Sequence, residues 1–358
     1  MRRVLIIAGG TGGHIFPGLC IAKALEQQHI EIFWLGSEIG LEKELVNGKY
    51  PLYFIPAKRV RGKKLINQLQ APFTLIRAIW KSWRLIRRLQ PDVILAMGGF
   101  ACAPGGIAAK ISKKPLVIHE QNSIPGYANR LLSYFANEIL VSFPETFKKN
   151  RNVKMVGNPV RLDLFSLPPP SCRYKEEDAH FNILILGGSQ GASAINHLIT
   201  SMLNTFPTPQ QLRIWHQTGK AQYDQVRESY QKLDVVAKVN SFIDDIASAY
   251  GWADLVICRS GALTVAEIAA VGVASILIPF PYAVDDHQWH NGQFLAEKEA
   301  AILMREEKIS VEVLADLIIE LMSNRDRLLR MAEKAKELGK PESVQSVITA
   351  LNEVIGKN

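Results

Sequence analysis

Four short stretches hold the residues whose types and spacing could do chemistry. The first is Gly9-Gly10-Thr11-Gly12-Gly13-His14. Glycines let a backbone approach a ligand closely, and the free N–H groups of a following helix attract negative charge. The spacing is not the dinucleotide fingerprint, because no glycine stands at 15. Nor is it a P-loop, because no Gly-Lys-Ser/Thr follows. His14 at the mouth of such a turn is expected to have a lowered pKa, and so to be neutral and able to take a proton. A second loop of the same design is Gly187-Gly188-Ser189-Gln190-Gly191-Ala192. In the third stretch, 259–267, Ser260 or Gly261 would cap a helix. The N–H groups of that helix start would face a phosphate, and Ala262, Leu263, Thr264, Val265 and Ala266 are substrate-binding candidates. Glu267, one to two turns in, could reach a ribose diol. The fourth stretch is Asp285-Asp286-His287-Gln288-Trp289-His290-Asn291. A zinc-binding helix places histidines at i and i+4, whereas these two stand at i and i+3, so a sugar-hydroxyl site without metal is the expectation.

The elements around these stretches are those of an α/β chain. The apolar runs 4–8 and 181–186 read as strands buried on both faces, each leading into a glycine turn and then a helical pattern, the first from about Pro17. Further strands are expected at 32–35, 52–55, 92–96, 115–118, 139–141, 212–215, 255–258, 275–278 and 301–303. His119-Glu120-Gln121-Asn122 reads as a polar turn. Strand–helix alternation predicts doubly wound parallel sheets with ligands at the carboxyl ends of the strands. The chain divides into residues 1–165, a linker at 166–180 containing Pro168-Pro169-Pro170, residues 181–340, and a C-terminal helix at 341–358 that can pack back on the first domain.

With 358 residues, 47% of them apolar, the chain can bury two ordinary cores. No apolar run approaches the roughly 20 residues that span a bilayer. Cys20, Cys102, Cys172 and Cys258 are scattered without metal-ligand spacing, which fits a reduced, cytosolic chain. The net charge of +8 is uneven, since residues 1–170 hold 24 of the 42 Lys and Arg but only 10 of the 34 Asp and Glu. A basic half suits nucleic acid, an anionic membrane surface or an anionic substrate. The helical pattern over 71–90 sharpens that choice. At 100° per residue, Arg77, Lys81, Arg84 and Arg88 gather on one side, with Leu75, Ile76, Ile79, Trp80, Trp83 and Ile86 on the other. One reading is a sheet-packing helix with a solvated basic side. The other, helped by the basic loop at 58–66, is a seat on the headgroups of an anionic bilayer formed by Leu75, Ile79, Trp80, Trp83, Arg77, Lys81 and Arg84. Single-stranded nucleic acid would also suit Arg with Trp, but no nucleic-acid module is recognisable.

Together and in order, Gly9–His14, His119–Asn122, Gly157-Asn158-Pro159-Val160-Arg161, Gly187–Gly191, 259–267 and Asp286-His287-Gln288 with Asn291 resemble one family over residues 4–295. It is the family of bacterial cell-wall glycosyltransferases that add N-acetylglucosamine to the undecaprenyl-pyrophosphoryl-linked muramoyl pentapeptide. The resemblance implies two Rossmann-like domains facing across a cleft, the GT-B fold. It implies UDP-N-acetylglucosamine on the C-terminal domain, the lipid-linked acceptor on the N-terminal one, and no cofactor or nucleic acid. It also implies a peripheral position on the cytoplasmic face of the membrane, on an anionic surface. Carried over by motif, Ser189 and 262–264 meet the diphosphate, Glu267 the ribose and Ile243 the uracil. Gln288 and Asn291 bind the sugar, and Arg161, Asn122, Thr11, Gly12 and Gly13 complete the donor side. Tyr282-Ala283-Val284 departs from the more polar segment of some relatives. The implied reaction is an inverting transfer with His14 as first candidate for the base and Glu120 as second. A UDP-N-acetylglucosamine 2-epimerase is the alternative on the same fold, and would turn over the nucleotide sugar without an acceptor. A nucleic-acid-binding protein would show salt-dependent retention on DNA or RNA. An NAD-dependent dehydrogenase, with Glu38 in place of the ribose acid, has the wrong glycine spacing.

Overall fold

The computed structural model describes residues 1–38, 40–56, 65–147, 152–174, 180–188, 191–233 and 235–356, with backbone only for 65–71. In chain order the elements are β1 (Arg3–Ala8), α1 (Gly12–Glu26), β2 (Glu31–Ser37), α2 (Glu42–Leu45), β3 (Leu52–Ile55), α3 (Leu65–Leu89), β4 (Val93–Gly98) and α4 (Cys102–Ile111). Then come β5 (Leu116–Glu120), α5 (Tyr127–Leu132), β6 (Glu138–Val141), β7 (Val153–Met155), α6 (Pro170–Arg173), β8 (Phe181–Leu186) and α7 (Ser193–Thr205). After them follow β9 (Leu212–Gln217), α8 (Tyr223–Gln231), β10 (Val236–Asn240), α9 (Ile246–Trp252), β11 (Leu255–Cys258) and α10 (Ala262–Val271). The chain ends with β12 (Ala274–Leu277), α11 (His287–Ala296), β13 (Ile302–Leu303), α12 (Val311–Ser323), α13 (Arg325–Glu337) and α14 (Ser343–Gly356). They form two units, Met1–Val160 with Glu342–Asn358, and Arg161–Pro341.

Each unit is built on one parallel sheet. The strand orders are β3-β2-β1-β4-β5-β6-β7 and β10-β9-β8-β11-β12-β13. Both begin with the Rossmann pattern, in which the strand order reverses beside the first strand of the unit and opens a crevice at the carboxyl ends. The expectation of two doubly wound domains holds. Alternation along β1 explains why it is apolar throughout. Val4, Ile6 and Ala8 face a core shared with α1 and α14, whereas Leu5 and Ile7 face one shared with α3 and α4. Val347, Ile348 and Leu351 seat α14 in the first of these cores. Each such side chain removed from water contributes about 1.5–3 kcal/mol.

Several local expectations need correction. α1 begins at Gly12, not Pro17, because Thr11 O already accepts from His14 N and Ile15 N. β5 runs on to Glu120, so His119 and Glu120 end a buried strand and do not lie in a turn. The stretch expected as a linker is largely part of the second unit. α6 lies within it, and the buried Tyr174 donates from its hydroxyl to Asp254 O and accepts from Ala274 N, while 175–179 lie outside the described residues. β7 and β10 were not foreseen. Both are short edge strands with polar or exposed positions, and so lack the apolar run that marks an inner strand.

Candidate active site

In the first unit the glycine turns after β1 and β4 pack back to back. Gly9 N donates to Gly98 O, and a Cβ on Gly99 would lie 2.1 Å from Gly9 O. Gly98 has φ +124°, and a Cβ there would stand 2.6 Å from His14 Cε1, so its bare backbone makes room for the imidazole. Beneath the first turn the fully buried Glu42 accepts at Oε1 from Gly10 N, Ser37 N and Ser37 Oγ. Thr11, Gly12 and Gly13 form the opening of α1, where Thr11 makes no side-chain cap and leaves the first N–H groups uncapped.

His14 sits on that first turn, with Nδ1 2.8 Å from Gln121 Oε1. Gln121 Nε2 lies 3.0 Å from His119 Nδ1, and His119 Nε2 is 3.0 Å from Gly157 O. Asn158 Nδ2 donates to Gln121 O, so the motifs at 119–122 and 157–161 meet. Burial pushes the His119 pKa down to about 4, although its bond to Gly157 pulls the other way. Glu120 does not fit the role of base. Its carboxylate accepts from Asn122 N and Asn122 Nδ2 at Oε1, and from Gly126 N and Asn129 Nδ2 at Oε2. With four N–H groups on a buried carboxylate, no lone pair is left for a reacting proton. Glu120 is a scaffold for the 121–126 loop, and Asn122 is part of that scaffold.

In the second unit α10 starts at the carboxyl end of β11 with Gly261 as its N-cap and no side-chain cap. The N–H groups at the start of a helix attract negative charge. Ala262 and Val265 are buried, and Val265 N is already bonded to Gly261 O, so Val265 belongs to the core and not to a ligand. Leu263, Thr264 and Ala266 are half-buried. Glu267 accepts at 3.0 Å from the hydroxyl of the buried Tyr250. Part of its side chain meets solvent, yet crowding by protein atoms dominates. Desolvation pushes its pKa up to about 7, against the pull of Tyr250 and Arg161. Arg161 pairs with Asp163 and donates to Asp244 O at 3.3 Å, beside Ile243. Ile243 N donates to Gln217 Oε1. Gln288 Oε1 accepts from Phe280 N and Gln288 O from Ser260 Oγ, while the buried Asn291 donates to Ser260 O. Asn291 thus fastens α11 to the start of α10 in place of meeting solvent. Ser189 and Gln190 lie outside the described residues.

Two features were absent from the sequence reading. Tyr250 is one. The other is the buried network under the second glycine loop, where His216 lies between Tyr230 Oη and Asn196 Oδ1, and Asn196 Nδ2 donates to Thr218 O and Gln222 Oε1. Gly191 packs on that same Thr218 carbonyl. A lone histidine in a strand gives no local signal of such a role. Among the described residues no three His, Cys, Asp or Glu side chains cluster as a metal site would need.

On α3 the sheet takes Ala78, Ser82, Leu85, Ile86 and Leu89. Ile86, on the apolar side but outside the set expected at a membrane, is part of this core. Phe73, Ile76 and Trp80 remain 76%, 64% and 51% exposed, Leu75 is exposed, and Ile79, Lys81 and Trp83 are half-buried. Arg77 and Arg84 are exposed, with Arg84 4.8 Å over the Trp80 ring and Arg87 5.7 Å over Trp83. The basic loop at 58–64 lies outside the described residues. No helix of the described residues is long and apolar enough to cross a membrane.

Comparison with known proteins bears on both units. The model of the glycosyltransferase family 28 N-terminal domain matches residues 4–141, and that of its C-terminal domain matches 182–347. The UDP-N-acetylglucosamine–N-acetylmuramyl-(pentapeptide) pyrophosphoryl-undecaprenol N-acetylglucosamine transferase of Coxiella burnetii is 51% identical over 348 residues, 97% of either chain. The protein of that name from Nitrosospira multiformis is 44% identical over 345 residues, 96% of either chain. The crystal structure of Acinetobacter baumannii MurG matches with a TM-score of 0.84 at 37% identity, over 99% of this chain and 100% of that one.

Proposed function

The chain belongs to glycosyltransferase family 28, and from that membership we infer what its sites do. It is a hexosyltransferase that moves N-acetylglucosamine from UDP-N-acetylglucosamine to undecaprenyl-pyrophosphoryl-N-acetylmuramoyl pentapeptide, turning lipid I into lipid II in peptidoglycan synthesis. The acceptor's C4 hydroxyl attacks the anomeric carbon from the face opposite UDP. As the new C–O bond forms, the bond to the diphosphate oxygen breaks and UDP leaves with that electron pair. The hydroxyl proton goes to Nε2 of His14.

The observation that supports His14 is its anchorage. Nδ1 is held by Gln121, and Nε2 has no hydrogen-bond partner among the described residues. On the donor side the N–H groups of Ala262, Leu263 and Thr264 at the start of α10, with Arg161 and the Ser189 loop, meet the charge that develops on the diphosphate. Glu267 accepts from the ribose hydroxyls. The Ile243 main chain receives the uracil, whose carbonyl replaces the Gln217 oxygen now on Ile243 N. Gln288 and Asn291 shape the sugar end through the Ser260 and Phe280 main chain. A lipid-linked acceptor lies in a bilayer, and the exposed Phe73, Ile76 and Trp80 with Arg77 and Arg84 suit the anionic cytoplasmic surface of the cell membrane.

The test is incubation with labelled UDP-N-acetylglucosamine and a short-chain lipid-linked acceptor. Transfer that needs both substrates is expected. Turnover of the nucleotide sugar alone would mark an epimerase and overturn the reading. His14→Ala should bind the donor normally and transfer almost nothing, and unimpaired transfer would remove His14 as the base.

A further inference from the structure

Gly157 O is a carbonyl and can only accept, so the His119 Nε2 that faces it at 3.0 Å carries a proton. His119 is fully buried and stays neutral down to about pH 4, so its Nδ1 is a bare lone pair. The group that faces this lone pair at 3.0 Å must donate, which fixes the Gln121 carboxamide with its nitrogen toward His119. A second contact of the same nitrogen with His119 O, at 3.3 Å, agrees with this orientation. The carboxamide oxygen is then the atom 2.8 Å from His14 Nδ1. An oxygen cannot donate, so Nδ1 of neutral His14 carries the proton. One backbone carbonyl thus decides, through two side chains, which nitrogen of His14 is basic.

We propose that His119 and Gln121 are positioning residues that hold neutral His14 in its Nδ1–H tautomer, with the Nε2 lone pair turned to the reacting hydroxyl. This rests on His14 as the base, as inferred above. The relay does the orienting work that a carboxylate does behind the histidine of a hydrolase triad, but without charge. A neutral amide fixes the ring and its tautomer, yet it does not draw the imidazole into its protonated form as an adjacent carboxylate would. The relay is rigid as well as polar. Gln121 is 1% exposed and its main-chain oxygen is held by Asn158 Nδ2, while the bare Gly98 leaves the imidazole its room. During transfer His14 Nε2 accepts the hydroxyl proton while Nδ1 keeps its own. The imidazolium then donates to Gln121 without moving any proton along the relay.

The direct test is spectroscopic and needs no activity. The intact protein is labelled with 15N-histidine, and the His14 signals are assigned among the 8 histidines by their loss in His14→Ala. At a pH where His14 is neutral, the expected spectrum shows a protonated, pyrrole-type Nδ1 and a pyridine-type Nε2. The reverse assignment, or an even mixture, overturns the proposal whether or not His14 is the base. Conversely, full activity of His14→Ala would sink the base while leaving the tautomer result intact. Variants supply the kinetic arm. Gln121→Leu should lower kcat tenfold or more, with KM for UDP-N-acetylglucosamine changed less than twofold, and should lose the single-tautomer spectrum. Gln121→Glu puts an acceptor-only carboxylate where His119 Nδ1 needs a donor, so it should not recover wild-type kcat. A Gln121→Leu or a Gln121→Glu protein with wild-type kcat would overturn the relay.

Discussion

Acidifying the medium from pH 8 to pH 6 should weaken binding of UDP-N-acetylglucosamine about tenfold, through Glu267. Its carboxyl is pushed up to about 7, chiefly by desolvation. In the proposed donor complex a ribose diol donates to this group, so the bound form is the ionised one, and the free protein must shed a proton before it binds. With a pKa near 7, about a tenth of the groups are protonated at pH 8 and about nine-tenths at pH 6. That change in the competent fraction is roughly tenfold, or about 1.4 kcal/mol. The donor's diphosphate is a diester that stays ionised across this window, so the slope belongs to the protein. Isothermal titration calorimetry reads it twice. The dissociation constant should rise about tenfold, and near pH 7 roughly half a proton should be released on binding, seen in buffers of different ionisation enthalpy. Tyr250 donates to Glu267 and lowers its pKa, so Tyr250→Phe should carry the loss of affinity to higher pH. Glu267→Gln should bind more weakly at pH 8 and be flat from 8 to 6. A wild-type affinity that is flat, or one that rises on acidification, would refute the reasoning. Stability gives an independent sign. The folded value lies above the ordinary glutamate value of 4.5, so between about 4.5 and 7 the folded protein holds a proton that the unfolded chain releases. Stability therefore falls as pH rises through that window. Glu267→Gln removes this loss and should raise Tm at pH 8.

Gly98→Ala places a Cβ 2.6 Å from His14 Cε1 at a φ of +124°, so transfer should fall tenfold or more while donor affinity is unchanged, as steady-state kinetics with calorimetry would show. Glu120→Gln turns two donor hydrogens toward N–H groups that now meet a carboxylate, and should destabilise the protein by about 2 kcal/mol or more in urea unfolding. Loss of activity with stability intact would instead return Glu120 to the role of base. Replacing Trp80, Trp83 and Arg84 together by Ser should reduce sedimentation with anionic vesicles and leave transfer to a short-chain, water-soluble acceptor unchanged. Equal sedimentation would make that face of α3 an ordinary solvated surface.

What could be read from the sequence was what is written locally. An inner parallel strand must be apolar on both faces, so β1, β4, β8 and β11 stand out as short unbroken runs, and the glycine turns at their carboxyl ends mark where a ligand can reach the backbone. Val265 was also legible and was misread. Positions 262, 265 and 268 recur at helical spacing and are all buried, so the period that made α10 a helix also assigned Val265 to its core side. The apolar side of α3 serves two surfaces, since Ile86 is given up to the core while Trp80 stays exposed. The relay behind His14 was beyond reach because His14 and Gln121 stand 107 positions apart, and nothing in either neighbourhood names the other.

The acids near the first glycine turns carry a more general lesson. A site made of main-chain N–H groups on glycine turns gains close approach but loses rigidity, since glycine gives up more conformational freedom on folding than any other residue. Such a site needs groups beneath it that pin its amides. Glu42 does this for Gly10, and Glu120 for Asn122 and Gly126, each through a buried carboxylate that accepts several N–H or O–H groups at once. A carboxylate suits this task because it offers two oxygens and about four acceptor directions with no donor to place. The same property disqualifies it as a base once those directions are filled. These two buried acids thus hold loops, and the proposed mechanism gives proton transfer to an imidazole with one nitrogen anchored. In a fold of this kind, a motif carboxylate at the end of a strand is best judged by how many N–H groups it already accepts before any proton is assigned to it.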